Sequence, residues 1–361
     1  MRIGIDASAI TKTKPTGVEI ATRDLMLSLV HLPTDDHFIL YTPAPLGPDW
    51  AKSKQVTIKV LPPQKRWTQT ALGPTANQDE LDLFFSPSYL PPLNLKVPSV
   101  VTIHGLEFFK HPSSYTVKNW ILSTLTVVLA KYKASHIVAV SNSIKRDLQA
   151  MAQIPASRIS VVYNALSPVL LQRIKLAKRS GGQPPYILAV GRIEPRKNTI
   201  RLIKAFAKIS AKHPDLTLHL AGFFSTQDYQ KRVEELIKQV GLHHKVVFLG
   251  HLDHQQLGPE YKNASALALV SLDEGFGIPV LEGFAAEIPV VTSEGSATEE
   301  VADGAAELVD PKSVTSIAAG LDRVLSDPHL ARNYVTQGQY RLAQFSWDKS
   351  AKQLLEVFHQ V

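Results

Sequence analysis

Glu274 and Glu282 frame the stretch Ser271-Leu-Asp-Glu-Gly-Phe-Gly-Ile-Pro-Val-Leu-Glu-Gly-Phe284, in which an anion site and two carboxylates are pressed together. The stretch follows an apolar run, Ala266–Val270, that reads as a buried strand. Gly275 and Gly277 allow a tight turn with backbone close to a ligand, and Pro279 suits the first turn of a helix, where its missing N–H costs nothing. A helix starting at Pro279 would aim its unpaired N–H groups and positive dipole end at an anion. Two carboxylates beside an anion repel it unless they accept hydrogen bonds from hydroxyls. A ligand offering both phosphate and sugar hydroxyls satisfies both halves, with Gly275, Phe276, Gly277 and Ile278 lining the turn. The alternative is an exposed turn with ordinary surface glutamates.

A second constellation is Val190-Gly-Arg-Ile-Glu-Pro-Arg-Lys-Asn198, where a strand ends in Gly191 and a helix begins near Thr199. Arg192 can grip phosphate oxygens bidentately and Lys197 adds a compact charge, so the pair can neutralise a diphosphate leaving group. Basic residues in such loops are more often simply solvated. Their place after the first strand of the second half favours the functional reading. His104 follows the apolar run Val97–Ile103 and precedes a glycine. It can donate to a sugar hydroxyl or to a neighbouring carbonyl; the alternative is a histidine satisfied by local backbone. In Thr13-Lys-Pro-Thr-Gly-Val-Glu19, Gly17 can bring backbone amides to a ligand at a helix start, and Pro87-Ser-Tyr-Leu-Pro-Pro92 is a rigid loop open to either reading. The 13 histidines show no metal-ligand pair on a helix, and no Asp-x-Asp motif occurs, so no metal site is expected.

These residues need a frame. Short runs of Val, Ile and Leu alternate with amphipathic stretches, the pattern of βαβ units and parallel sheets. Strands are predicted at Arg2–Asp6, His37–Tyr41, Leu83–Phe85, Val97–Ile103, His136–Ala139 and Ile159–Val162, with helices at Gly17–His31, Val117–Lys133 and Ser143–Met151. The charged, Gly-Gly and Pro-Pro segment Lys175–Pro185 breaks the pattern and is read as a linker. Strands then follow at Tyr186–Val190, Thr217–Ala221, Val246–Leu249, Ala266–Val270 and Val290–Thr292, with helices from Thr199, Thr226 and Pro279. The chain of 361 residues therefore divides into domains at 1–178 and 183–345, with the last amphipathic segment, 347–361, returning to the first. In paired units of this kind the ligand is expected in the cleft, outside the carboxyl ends of the strands.

The absence of cysteine excludes disulfides, thiolate metal sites and a thiol nucleophile. The chain enters a strand at once, without a secretory leader, and no apolar run reaches the ~18 residues that span a bilayer. A cytoplasmic protein is expected. Residues 1–180 hold 21 Lys/Arg against 11 Asp/Glu, and residues 181–361 hold 18 against 21, so the net charge of +7 sits in the first half. A one-sided basic surface favours anionic lipid or a phosphorylated substrate, and no nucleic-acid motif accompanies it.

Taken together, the motifs resemble those of the retaining glycosyltransferases of family 4, mannosyltransferase-like group 1 members included. Glu274 and Glu282 match the family's Glu-x7-Glu motif, Gly191-Arg192 with Lys197-Asn198 its diphosphate loop, His104 its first-domain histidine and Gly17 its N-terminal glycine loop. Phe345-Ser-Trp347 resembles the start of its closing helix. Two departures stand out: Ala165 follows Asn164 where the family often has glycine, and Glu299-Glu300-Val301 replaces Pro-Glu-Val.

The resemblance implies the α/β GT-B fold, two Rossmann-like domains facing each other across a cleft. It implies a hexosyltransferase that works without metal or cofactor and retains anomeric configuration. Arg192 and Lys197 would hold the diphosphate, Glu282 the ribose, Glu274 the transferred sugar, and His104 would position that sugar. GDP-mannose leads as donor. A glycan or lipid-linked glycan of cell-surface polysaccharide synthesis is the expected acceptor, with peripheral contact at the anionic inner face of the cell membrane through the Val117–Lys133 region. Alternatives are a GT-B nucleotide-sugar epimerase or hydrolase, and a nucleotide-sugar-binding protein that transfers nothing.

Overall fold

Strands buried on both faces are predominantly apolar, and Ile3, Ile5, Phe84, Phe85, Val100 and Val101 are all buried in the centre of one parallel sheet. The structure is a computed structural model, which describes the chain except Lys14, Lys52, Tyr89, residues 113–115 and the side chain of Ala51. Two compact units form, Met1–Ala165 with Phe345–Val361, and Leu166–Gln344.

The first unit holds β1 (Arg2–Asp6), β2 (His37–Thr42), β3 (Val56–Val60), β4 (Leu83–Ser86), β5 (Ser99–Ile103), β6 (His136–Ala139) and β7 (Ile159–Val161). Their order across the sheet is β3-β2-β1-β4-β5-β6-β7, all parallel, so the direction of winding reverses between β1 and β4. Helix Gly17–Val30 opens with a capping box, in which Thr16 and Glu19 satisfy each other's backbone N–H groups. It packs against the closing helix Trp347–Gln360. Phe358 of that helix lies 5.1 Å from the Phe85 ring, and Ser350 Oγ donates to the Tyr163 carbonyl at 2.6 Å.

The second unit holds β8 (Tyr186–Val190), β9 (Thr217–Ala221), β10 (Val246–Gly250), β11 (Ala266–Leu269), β12 (Val290–Ser293) and β13 (Glu307–Val309). The order β10-β9-β8-β11-β12-β13 is again parallel, and the reversal falls between β8 and β11. The two winding patterns match, each an α/β doubly wound sheet.

The unit boundary falls one helix earlier than the sequence predicts. A linker read at Lys175–Pro185 leaves residues 166–174 in the first domain, yet helix Pro168–Leu176 belongs to the second unit. Leu170 and Ile174 are buried, and the helix packs on His254–Asn263. Gly258 makes that approach possible: a Cβ there would stand 2.9 Å from the Arg173 carbonyl carbon. Among the described residues no helix is long and apolar enough to cross a membrane.

Candidate active site

The reversal between β8 and β11 opens a crevice at the carboxyl ends of those strands, where an open α/β sheet takes its ligand. Two of the predicted loops meet there. Leaving β8, the chain turns at Gly191 (φ +132°), and Gly222 (φ +151°) lies against it after β9. A Cβ on Gly222 would fall 1.9 Å from the Gly191 carbonyl oxygen, so only glycine lets the two loops run side by side. Ile193 N–H then donates to the Phe223 carbonyl at 2.8 Å, and Ser225 N–H to the Ile193 carbonyl at 3.0 Å. Arg192 is thereby fixed at its backbone. Its side chain is exposed and makes no ion pair or hydrogen bond among the described residues.

The turn Pro195–Lys197 carries the loop back across the crevice. Asn198, in the left-handed region at φ 62°, is buried and pins it: its side-chain amide donates to the carbonyls of Val270 (2.9 Å) and Pro311 (2.6 Å). The Lys197 side chain lies over Gly191, 3.4 Å from where a Cβ would be, and its ammonium bonds Glu274 Oε1. Ser271 Oγ donates to the same oxygen at 2.6 Å. Arg196 Nη1 donates to Glu274 Oε2 at 3.3 Å and to the Asp273 carbonyl at 2.9 Å, while Nη2 reaches Glu194 at 2.9 Å.

Glu274 is thus buried yet surrounded by donors. Burial pushes its pKa up, but the charges of Lys197 and Arg196 and the bonds from Lys197 and Ser271 outweigh it and hold the group at about 2. Glu282 has the opposite environment. Burial pushes it up to about 7, against the hydrogen bond from the Tyr261 hydroxyl and the more distant Lys197 charge. Both carboxylates feel Lys197, and they sit on opposite sides of their ordinary value. Between them helix Ile278–Ala286 starts at Gly277 (φ +93°), with no side chain capping it. A Cβ on Gly277 would come 2.6 Å from Thr298 Cγ2. Phe276 is buried beneath the turn.

Known families show the same two halves. The pattern described as glycosyltransferase family 4 matches residues 16–169, and glycosyl transferases group 1 matches residues 172–341. An uncharacterised glycosyltransferase of Methanocaldococcus jannaschii is 32% identical over 276 residues, covering 73% of this chain and 69% of that one. The chain belongs to the family 4, group 1 glycosyltransferases. An O-antigen chain mannosyltransferase of Salmonella typhimurium is 28% identical over 66% of the chain, which spans 64% of that relative's length. Anabaena HepE, solved in complex with UDP and glucose, superposes over the full length of both chains with a TM-score of 0.73 at 20% identity. That likeness carries the fold, which is GT-B.

In the glycosyltransferase's first unit, His104 stands just past β5, half-buried. Its Nε2 lies 2.7 Å from the Pro87 carbonyl, which can only accept, so Nε2 carries the hydrogen. Burial pushes the ring's pKa down, against the Pro87 bond and the Glu19 charge, and keeps it neutral. The donor expected for a sugar hydroxyl is therefore spent on backbone, and Nδ1 is left as an acceptor. Gly17 opens its helix without a positive φ, and a Cβ there would meet nothing within 4 Å. Lys14 in the Gly17 turn and Tyr89 in the Pro87–Pro92 loop lie outside the described residues.

Sequence reasoning missed Arg196, Ser271 and Tyr261 as site residues, and it named Asn198 only as part of the loop it pins. Arg196 and Ser271 were within the two stretches, adjacent to residues already named. Tyr261 had no local signal, because only the fold brings its helix to Glu282.

Proposed function

We propose that the glycosyltransferase moves a hexose from a nucleotide diphosphate sugar to a glycan or lipid-linked glycan, without metal and with retention of configuration. The observation that carries this reading is the pairing of a donor-caged Glu274 with a free Arg192 across the crevice. Lys197 keeps two of its three N–H donors after bonding Glu274, and Arg192 has all of its own. Together they supply the positive charge a departing diphosphate needs, and that charge counts most as the bond breaks. The C1–phosphate oxygen bond breaks, the acceptor oxygen bonds C1 on the same face, and its proton passes to the departing phosphate oxygen.

Glu274 is held ionised at neutral pH, so it cannot act as the acid. Three donors already occupy a carboxylate with about four acceptor positions, which leaves roughly one for a sugar hydroxyl. That environment suits stabilising an oxocarbenium-like charge better than forming a covalent bond. Glu282 is placed to take the ribose hydroxyls, and His104 Nδ1 to accept from the transferred sugar. The mannosyltransferase relative favours GDP-mannose, with UDP-glucose the first comparator.

The test is thermal stabilisation by GDP, UDP, GDP-mannose and UDP-glucose, with a chelator present throughout. One base should raise the melting temperature, and Arg192→Ala should abolish much of that rise. No rise with any of them sinks the reading; an inverted anomer in the product removes retention alone.

The acceptor side proposed is a lipid-linked one at the anionic inner face of the cell membrane. Helix Val117–Lys133 exposes Val117 (75%), Ile121, Leu125, Val128 and Tyr132 (73%) along one stripe, beside Trp120 and Leu122. Lys118, Lys131 and Lys133 flank it and no acid interrupts it, which suits the headgroup boundary of an anionic bilayer. Vesicles containing phosphatidylglycerol should sediment the protein at low salt, and Ile121→Glu with Leu125→Glu should release it. Equal binding to neutral vesicles, or none to either, removes this docking face.

A further inference from the structure

At the end of the second sheet opposite the catalytic crevice lies a pocket of about 460 Å³ that the donor chemistry does not use. It opens beneath the amino ends of β11 and β12, where Ser265 and Pro289 lead into the strands. Its size is many times the ~30 Å³ share of one water and falls within the roughly 300–1,000 Å³ of small-molecule sites. Buried Ile288 and Pro289, with half-buried Val335, give it an apolar wall.

Two guanidiniums line the same pocket. Arg332, on helix Pro328–Leu342, makes no side-chain hydrogen bond or ion pair among the described residues. Arg179 spends only Nη2, which donates to the Glu287 carbonyl at 3.1 Å. The carboxylate on the wall, that of Glu287, is already matched by Lys262 at 2.8 Å. Both arginine charges are therefore uncompensated, beside a stretch of chain in which acids outnumber bases from residue 181 onward. The Ser180 and Ser265 hydroxyls also make no hydrogen bond among the described residues. Arginine forks grip phosphate bidentately, free hydroxyls suit the polar edge of a sugar, and the apolar wall suits its face.

The pocket shares its walls with Glu282. Helix Ile278–Ala286 starts at the catalytic turn, carries Glu282 and ends at Glu287, roughly 14 Å further along. Glu287 caps it in the left-handed region, at φ 59°. Helix His254–Asn263 ends in three residues that tie the two places together. Tyr261 bonds Glu282, Lys262 bonds Glu287, and Asn263 lines the pocket and accepts the Ser180 N–H at 2.6 Å. An anion that engages Arg179 competes with the Glu287 carbonyl, and one that draws on Lys262 competes with the Glu287 carboxylate. Either loosens the turn that ends the helix of Glu282.

We propose that this pocket is a second ligand site, for a phosphate monoester of sugar size, whose occupancy is felt at Glu282. The site stands apart from the donor reading, and only the coupling rests on Glu282 holding the donor.

Calorimetric titration of the full chain with glucose 6-phosphate, with and without saturating GDP or UDP, tests this. The ester should bind in both cases, inorganic phosphate at least about tenfold more weakly, and glucose not measurably. Arg332→Ala and Arg179→Ala should each weaken the ester by about tenfold, since one charge-assisted contact is worth roughly that factor, and Arg332→Lys should recover part of it. Arg192→Ala should leave ester binding unchanged. Arg332→Ala should melt with the wild type and match its turnover in the absence of ester, because the side chain is exposed and unpaired among the described residues. Nucleotide affinity should differ by about fivefold or more between free and ester-saturated protein, and ester affinity by the same factor in return. No binding of glucose 6-phosphate overturns the site, as does binding that Arg192→Ala abolishes and Arg332→Ala spares. Inorganic phosphate binding as tightly as the ester overturns the sugar-sized ligand. Ester binding that leaves nucleotide affinity unchanged overturns the coupling alone. A wild type that takes the ester but no nucleotide overturns the donor reading and leaves the pocket standing.

Discussion

Lys197→Ala should lower kcat by about a hundred- to a thousandfold, the usual loss when one transition-state donor is removed. Two consequences of the same ammonium combine. It faces the departing diphosphate, and it is the largest charge holding Glu274 ionised. Without it Glu274 keeps Arg196 and Ser271 but loses its principal counter-charge, so its pKa climbs from about 2. Glu282 loses a smaller lowering influence and rises further above about 7. Breaking a buried pair leaves an uncompensated charge and costs about 3–5 kcal/mol, so the alanine variant should also melt lower. Because Glu274 is depressed in the fold, its stabilising contribution is complete above about pH 4.5 and is lost as pH falls toward 2. In the variant, where the folded pKa lies closer to 4.5, that acid loss should be smaller and should be complete at a higher pH. Lys197→Arg retains the charge and should recover most of the stability but only part of the rate, since a planar fork does not replace a compact ammonium. Initial rates, and melting curves across acid pH, check both parts. An alanine variant within about twofold of wild-type turnover would remove Lys197 from the mechanism.

The interdependence of Lys197 and Glu274 also shows what the sequence could reveal. β8 and β11 are uninterrupted apolar runs, β11 buried throughout and β8 over its first three residues, so both were legible, and with them the loops that must follow. The edges were not. β3, Val56–Val60, alternates Val, Thr, Ile, Lys and Val on a half-exposed edge, and β13, Glu307–Val309, has three residues, one of them charged. Neither makes an apolar run: β3 is partly exposed along its whole length, and β13 is too short to show a pattern. Helix Pro168–Leu176 fell on the wrong side of the boundary because the Gly-Gly and Pro-Pro break follows it, whereas its packing partner, the helix of Gly258, lies about 80 residues on. The site divides along the same line. Arg192, Lys197, Glu274 and Glu282 each lie in a local motif, whereas the Tyr261 hydroxyl meets Glu282 across 21 positions of chain and no spacing rule connects them. His104 was found by position, but its tautomer depended on the carbonyl of Pro87, 17 residues away and on a different loop.

Glu282→Gln should make the protein more stable above neutral pH while weakening its hold on the donor. Burial raises this carboxyl to about 7 in the fold, against 4.5 for the ordinary group. The folded chain therefore holds a proton the unfolded chain has released, and stability falls as pH rises from about 4.5 through about 7. One pKa unit is worth about 1.4 kcal/mol, so the full effect is about 3 kcal/mol, or roughly 5–10 °C for a unit of this size. Glutamine is neutral at every pH, and its carbonyl still accepts from Tyr261. The variant should match the wild type near pH 5 and exceed it near pH 8. Binding should change in the opposite sense. A carboxylate presents two acceptors to adjacent ribose hydroxyls where the amide presents one acceptor and one donor, and the lost charge-assisted bond should cost about tenfold in donor affinity. Wild-type affinity should rise with pH up to about 7 as Glu282 ionises, and the glutamine variant should show no such step. Melting curves and donor titrations from about pH 5 to about pH 8.5 follow both quantities. Parallel stability curves for the two proteins would show that Glu282 carries no strained charge. A selective loss of the binding step with that stability gain would show the strain is retained for the donor, as expected where function opposes stability.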